Sequence, residues 1–292
     1  MKSLFKRTTQ KSKPDINEQP SQTASNLLAL QSKWNLPQFS YAFAQSVGMQ
    51  RDHNEDALIA LASALSLQDS VRPFGFFAIA DGMGGHLHGE IASKLAIGSI
   101  TSTITERILI PYINPTRPTP QNSLQNILNE ALLTAHQEVL RHATGGGTTL
   151  TACLIFGSYL TIAHVGDSRA YYIDFDGAIK RYTRDHSLVN RLIELGQINE
   201  KQALNHPQRN VLYRALGQNE PLEADIGSFP IPESGYLLIC SDGLWSVVPD
   251  PSIAEILRSN TSLQSACNDL IQAANQAGGP DNISVILVKF NG

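Results

Sequence analysis

Long apolar runs are missing from this chain of 292 residues. No stretch approaches the roughly 18 uninterrupted apolar residues that a membrane helix requires, so no membrane span is expected. The basic residues Lys2, Lys6, Arg7, Lys11 and Lys13 are not followed by an apolar segment. That argues against a secretory signal and for a cytoplasmic location. Cysteine is scarce: Cys153, Cys240 and Cys267 lie far apart, two of them in apolar runs. They read as buried thiols, and nothing points to a disulfide framework or a zinc site. None has an arginine six positions on, where Tyr159, Ser246 and Ala273 stand instead, so thiolate-based phosphate chemistry has no candidate. A Gly-x-x-x-x-Gly-Lys-[Ser/Thr] phosphate loop and a Gly-x-Ser-x-Gly nucleophile elbow are also lacking, as is any internal repeat.

Charge is unevenly spread. Residues 1–40 carry a balance of +4, and the rest of the chain carries -8. A basic tail can meet nucleic acid or anionic lipid. Without interleaved aromatics, a solvated and disordered extension over residues 1–38 is the better reading, with residues 27–30 and Trp34 as a possible short docking helix. No nucleic-acid partner is expected. From residue 39 the pattern is that of one continuously folded domain, 39–292.

Strand-like segments are expected at residues 41–47, 74–80, 149–156, 159–165, 169–174, 236–240 and 283–290. The Asp-Gly pair at Asp176-Gly177 predicts a hairpin between 171 and 182, which also explains Asp174-Phe175-Asp176-Gly177 as turn chemistry. Amphipathic helices are expected near 90–100, 124–139, 187–195 and 263–274. Asp250 is the expected N-cap of a further helix opened by Pro251, and Thr261 with Gln264 the expected capping box of the last one. Residues 111–122 and 197–220 read as irregular. Strands in hairpin-linked groups with helices in separate pairs predict an α+β fold with antiparallel sheets.

Five segments place an aspartate beside glycine, asparagine or another acid: Asn54-Glu55-Asp56, Asp81-Gly82, Gly166-Asp167-Ser168, Ser241-Asp242-Gly243 and Asp281-Asn282. Four of them sit at the end of a strand-like run. Taken singly, each is an ordinary turn pair. Carboxylates converging from several strand ends would repel one another unless cations stood between them, so the set predicts a site for hard divalent metals with oxygen ligands. The pair His86-Leu87-His88 is a weaker metal candidate.

The order and flanks of these segments resemble the metal-dependent protein phosphatases, the type 2C serine/threonine phosphatases, in their bacterial branch. The resemblance runs from about residue 40 to 290. It rests on Arg51-x-x-Asn54-Glu55-Asp56, Asp81-Gly82-Met83-Gly84-Gly85-His86 with Gly89-Glu90, Gly147-Thr148-Thr149, Val165-Gly166-Asp167-Ser168-Arg169, Thr183-Arg184-Asp185-His186-Ser187, Arg214-Ala215-Leu216-Gly217, Ser241-Asp242-Gly243-Leu244 and Asp281-Asn282-Ile283-Ser284-Val285. It implies a central sandwich of two antiparallel β-sheets flanked by pairs of α-helices. The activity implied is hydrolysis of phosphoserine and phosphothreonine on protein substrates, by a monomer using two Mn²⁺ or Mg²⁺ ions and a third, weaker one.

The same resemblance implies roles. Asp81 bridges two metals and Gly82 offers its carbonyl. Asp242 and Asp281 complete the first metal, and Glu55 and Asp56 hold the other side. Asp167 with Asp242 holds the third ion, and Arg51 binds the substrate phosphate unless it serves as a structural partner of the Asp56 segment. Paired cations lower the pKa of a bridging water from ~15.7 towards ~7, which permits in-line attack at neutral pH without a phosphoenzyme. Met83 stands where the eukaryotic pattern has a histidine, so His86, or water near Asp167, becomes the candidate proton donor. His186 reads as structural, Arg209 and Arg214 belong to a flap over residues 183–217, and the rival function is a catalytically silent phosphoprotein-binding regulator of the same fold.

Overall fold

Apolar strands, most of them within a residue or two of their expected ends, organise the molecule. The computed structural model describes residues 39–67, 70–84, 87–114, 116–118, 122–218 and 221–291, all within one unit of the chain, Leu36–Gly292. The expected short helix near residues 27–34 lies outside the described residues. Strand β1 spans Phe39–Ser46, β2 Asp56–Leu67, β3 Ser70–Met83 and β4 Gly147–Thr148. Next come β5 Leu150–Phe156, β6 Tyr159–Val165, β7 Arg169–Ile173 and β8 Ile179–Arg181. The last three are β9 Asp225–Pro230, β10 Gly235–Cys240 and β11 Ile283–Phe290. One sheet has the order β1-β11-β10-β7-β8 and the other β2-β3-β5-β6-β9, with β4 beside β3, and every pairing is antiparallel.

Three buried layers explain why the central strands are apolar on both faces. Phe77, Ile79, Cys153 and Ile155 from the second sheet pack against Leu237, Ile239, Ile286 and Val288 from the first, forming the layer between the sheets. The alternate residues Phe76, Ala78, Ala152 and Leu154 face helices α1 (Leu87–Ile104) and α3 (Leu124–His142). On the far side Leu238, Cys240, Val285 and Leu287 face α7 (Asp250–Ser259) and α8 (Leu263–Gln276). A strand with period-2 side chains and a covered surface on each side has no polar face, so it reads as a continuous apolar run. The expected sandwich with a helix pair on each face is therefore present. All three cysteines are buried and free.

Several local expectations are corrected. Strand β3 does not stop at Asp81. It continues to Met83 because Gly82 and Met83 pair with Thr148 and Gly147. Residues 110–113 form a short helix, α2 (Ile110–Ile113), reached through a π-helical turn at Thr105–Leu109. The stretch 197–220 contains helix α5 (Glu200–Leu204), capped reciprocally by Asn199 and Gln202, two polar residues whose role is invisible to hydrophobic periodicity. Strand β9 was not expected at all. Asp225-Ile226-Gly227-Ser228-Phe229-Pro230 is an edge strand, where glycine and proline are tolerated. Asp250 is the first helical residue of α7 rather than its N-cap, which is Pro249. Ser262, not Thr261, caps α8, accepting from the Ser265 amide. The hairpin at Asp174–Gly177 is as expected, with the Ala178 amide donating to Asp174 Oδ1 at 2.7 Å.

Candidate active site

One end of the sandwich gathers the start of β2, the end of β3, the β6–β7 connection, the end of β10 and the start of β11. There a cavity of about 500 Å³ is lined by Arg51, Glu55, Asp81, Gly82, Asp167, Asp242 and Asp281, together with Gln50, His53, Asn210 and Leu212. Asp56 lies behind this lining, 7% exposed. Its Oδ2 accepts from Ser241 Oγ at 2.9 Å, just past the end of β10, and from Ser284 Oγ at 2.6 Å, in β11 of the opposite sheet. Its Oδ1, like Oδ1 of Asp242, is buried and has no hydrogen-bond partner.

Backbone anchoring sets the remaining acids. The Asp81 amide donates to Thr149 Oγ1 at 3.0 Å, and its carbonyl accepts from the Thr149 amide and the Thr148 hydroxyl, each at 2.9 Å. Asn282 stitches the Glu55 segment in place: its Oδ1 accepts from the Glu55 amide at 2.8 Å while its Nδ2 donates to the carbonyls of Val47 and His53. Ser93 Oγ donates to the Glu55 carbonyl at 2.5 Å. Ser284, Ser93 and the side chain of Asn282 carry no chemistry of their own, and only tertiary contact reveals their support. Gly82 is needed chiefly because a Cβ there would stand 2.2 Å from the Gly89 carbonyl oxygen and 2.7 Å from that of Glu55.

Electrostatically the site is unfavourable to its own charges. Burial, followed by neighbouring carboxylates, pushes the Asp56 carboxyl up to about 7 and that of Asp242 up to about 6. Asp81 and Asp167 are displaced well upward by burial first, then by the facing acids. Asp242 and Asp81 come within hydrogen-bonding range of each other. Among the described residues no three His, Cys, Asp or Glu side chains close on one point as a finished metal cage, and the acids ring the cavity instead. Their chemistry fits a hard divalent cation. The donors are all oxygen, two buried carboxylate oxygens are unpartnered, and the repulsion is of the kind a cation relieves.

With this geometry in hand, the sequence profile of the protein phosphatase 2C family matches residues 42–200. The chain belongs to the protein phosphatase 2C family. This phosphatase is 39% identical to the serine/threonine phosphatase stp of Listeria innocua over 213 residues, covering 73% of the chain and 83% of that relative. It is 35% identical to protein phosphatase PhpP of Streptococcus pneumoniae, covering 73% of the chain and 85% of PhpP. Among solved structures, the serine/threonine phosphatase PstP/Ppp of Mycobacterium tuberculosis superposes with a TM-score of 0.72 at 31% identity, covering 87% of the chain and 99% of the chain in that structure. A structure of the PstP catalytic domain in complex with 2 manganese ions superposes with a TM-score of 0.70 at 29% identity, covering 87% of the chain and 99% of that domain.

Other expected residues of this phosphatase fall as follows. Arg51 is half exposed and pairs with Asp281 through Nη2 at 2.7 Å rather than with the Asp56 segment. His53 Nε2 lies 3.0 Å from Glu55 Oε1. Sequence reading passed over His53, although it stands inside the Arg51–Asp56 motif. His86 lies outside the described residues, and His88 is exposed. His186 is fully buried, and Arg214 pairs with Glu223 and Asp225, so neither reaches the cavity. No helix among the described residues is long and apolar enough to cross a membrane.

Proposed function

We propose that this phosphatase hydrolyses phosphoserine and phosphothreonine on proteins with divalent cations held by Glu55, Asp56, Asp81, the Gly82 carbonyl, Asp167, Asp242 and Asp281. The observation that carries the reading is the pair of unpartnered buried oxygens, Asp56 Oδ1 and Asp242 Oδ1, in a wall of mutually repelling acids. Two core ions, Mn²⁺ or Mg²⁺, and a third ion at Asp167 are the proposed complement, in keeping with the manganese-bound relative. Bound there, divalent cations would supply charge neutralisation of the phosphate dianion and a water of lowered pKa as nucleophile.

The chain's own residues do the rest. Arg51, held at the rim by Asp281, offers the planar guanidinium that suits two phosphate oxygens. Thr149 and Asn282 fix the backbones that carry Asp81 and Glu55. No thiol takes part, since all three cysteines are buried away from the cavity, and a covalent phosphoenzyme is not needed. His86 is assigned to protonating the leaving oxygen on its place in the 81–86 segment alone. Residues 39–292 form the catalytic domain, and residues 1–38 are read as an extension. We take the protein to act in the cytoplasm as a signalling monomer.

The test is turnover of a phosphothreonine peptide by the full chain. Hydrolysis is expected in Mn²⁺, lost in EDTA and restored on adding Mn²⁺ back. Activity that survives EDTA, or none at saturating Mn²⁺, sinks the mechanism.

A further inference from the structure

The loop Gly166-Asp167-Ser168 between β6 and β7 is held by three outside donors, one on each successive carbonyl. Gly166 O accepts from the His186 amide at 2.7 Å, Asp167 O from Trp245 Nε1 at 3.0 Å, and Ser168 O from Thr151 Oγ1 at 3.0 Å. The path of the loop is fixed from within as well. Gly166 has φ +109°, and a Cβ there would stand 2.5 Å from Thr149 Cγ2. The Gly166 amide, one residue before Asp167, donates to His186 Nδ1 at 3.1 Å.

That bond defines the imidazole. Nδ1 accepts, so the ring proton is on Nε2, which faces Asp225 Oδ2 at 3.3 Å. Burial lowers the His186 pKa, which keeps the ring neutral and the Nδ1 lone pair available. The ring packs against His164 in a tilted arrangement, with centroids 4.9 Å apart and an interplanar angle of 38°. Asp185, one residue earlier, grips Arg169 through both oxygens at 3.0 and 2.6 Å, and the Arg169 guanidinium lies 3.4 Å over the Trp245 ring. The segment 185–186 is thus zipped onto the loop that carries Asp167, and the roles so far assigned leave this imidazole unused.

We propose that His186 is a positioning residue for Asp167: its Nδ1, by taking the Gly166 amide, sets the aim of the Asp167 carboxylate and so the affinity of the cation that carboxylate holds. The inference rests on the reading of Asp167 as a ligand. Trp245 and Thr151 keep the loop in place by its carbonyls, whereas His186 alone takes the amide preceding the carboxylate. Without that acceptor a buried N–H is left unsatisfied, and the Val165–Gly166 peptide plane turns to find another partner, shifting the Gly166–Asp167 link that follows it. Partners behind a ligand matter on this scale: their loss costs about 10–100-fold in metal affinity.

Two substitutions separate the faces of the ring. His186→Asn keeps a carbonyl oxygen near the place of Nδ1. His186→Gln reaches the Asp225 side and gives up the Gly166 amide. Mn²⁺ binding to the full chain is followed by the electron paramagnetic resonance signal of free Mn²⁺, with melting temperature as a check on folding. The Gln variant is expected to lose about tenfold in affinity for one Mn²⁺ with the other binding steps unchanged, and the Asn variant to stay within about threefold of wild type. In an Asp167→Asn background the Gln substitution is expected to change nothing further. Equal isotherms for Gln, Asn and wild type overturn the proposal, as does an undiminished Gln effect in the Asp167→Asn background. If Asp167→Asn alone binds Mn²⁺ like wild type, the ligand reading of Asp167 falls and this inference falls with it. If Asp167→Asn loses an ion while His186→Gln does not, only the inference falls.

Discussion

Asp56 and Asp81 stand directly opposite each other across the β2–β3 ladder. Directly opposed residues on an antiparallel pair have their Cβ atoms about 4.5–5.5 Å apart, and like charges placed so are destabilising. Two acids in that register, with the Asp242 carboxyl close by, store repulsion at the end of the sandwich that only protonation or a cation removes.

Relief of that repulsion is measurable in Asp56→Asn. An asparagine oxygen can still accept from Ser241 and Ser284, and one negative charge is gone. In EDTA at neutral pH the variant is expected to melt higher than wild type by several degrees, about 1–2 kcal/mol in a chain of this size. In Mn²⁺ its turnover of phosphopeptide is expected to fall at least about a hundredfold, roughly 2.7 kcal/mol at the transition state. A lower melting temperature in EDTA would contradict the electrostatic account.

Gly82→Ala probes close packing. The added carbon would meet backbone atoms of Gly89 and Glu55, which cannot swing aside as a side chain can. The expected cost is about 3 kcal/mol, the upper end of overpacking penalties, read by urea denaturation. Gly98, where a Cβ meets nothing, is the control: Gly98→Ala is expected to be neutral or stabilising.

Arg51 is expected to act in binding more than in turnover. Arg51→Ala should raise KM for phosphopeptide about tenfold or more with kcat changed much less, since about 1.4 kcal/mol corresponds to tenfold. Arg51→Lys should recover only part of this, because an ammonium cannot present the bidentate fork. An unchanged KM in Arg51→Ala removes the residue from phosphate binding.

Acid stability should report on His164. Burial first, then the neighbouring His186, lower its pKa to about 4. The folded group therefore resists a proton that the unfolded chain takes up near its ordinary pKa of about 6.5. Its contribution is fully present above about 6.5 and is lost as pH falls towards 4, about 3 kcal/mol over that window. Between pH 7 and pH 4, urea denaturation should show wild type losing about 3 kcal/mol more stability than His164→Gln, which has nothing to protonate at that position and shares the titration of the buried acids.

How far the sequence carried depended on what kind of signal each element left. Ile283–Phe290 was legible as an apolar run buried on both faces, and the long helix Leu124–His142 because burial imposes period on its apolar residues. Strand β9 and helix α5 were not, because an edge strand with glycine and proline and a five-residue helix bury too little to leave a pattern. The acids were legible through their glycine and asparagine neighbours, whereas Ser284 and Ser93 were not, since a lone serine in a chain is chemically unremarkable until its partner is known.

The donor chemistry was already written in the chain: carboxylates at the ends of apolar strands, a guanidinium nearby, and cysteines that could not serve. Tertiary structure alone decided the accounting of each oxygen. Which carboxylate oxygens are satisfied, as Asp56 Oδ2 is, and which are buried unpartnered, as Asp56 Oδ1 and Asp242 Oδ1 are, depends on residues far apart in the chain. It also decided that His186, a residue of the flap motif, grips the loop of Asp167. The physical reason is that hydrogen bonding and repulsion act over a few ångströms in space, and only the closed sandwich brings residues 56, 81, 167, 242 and 281 within that distance.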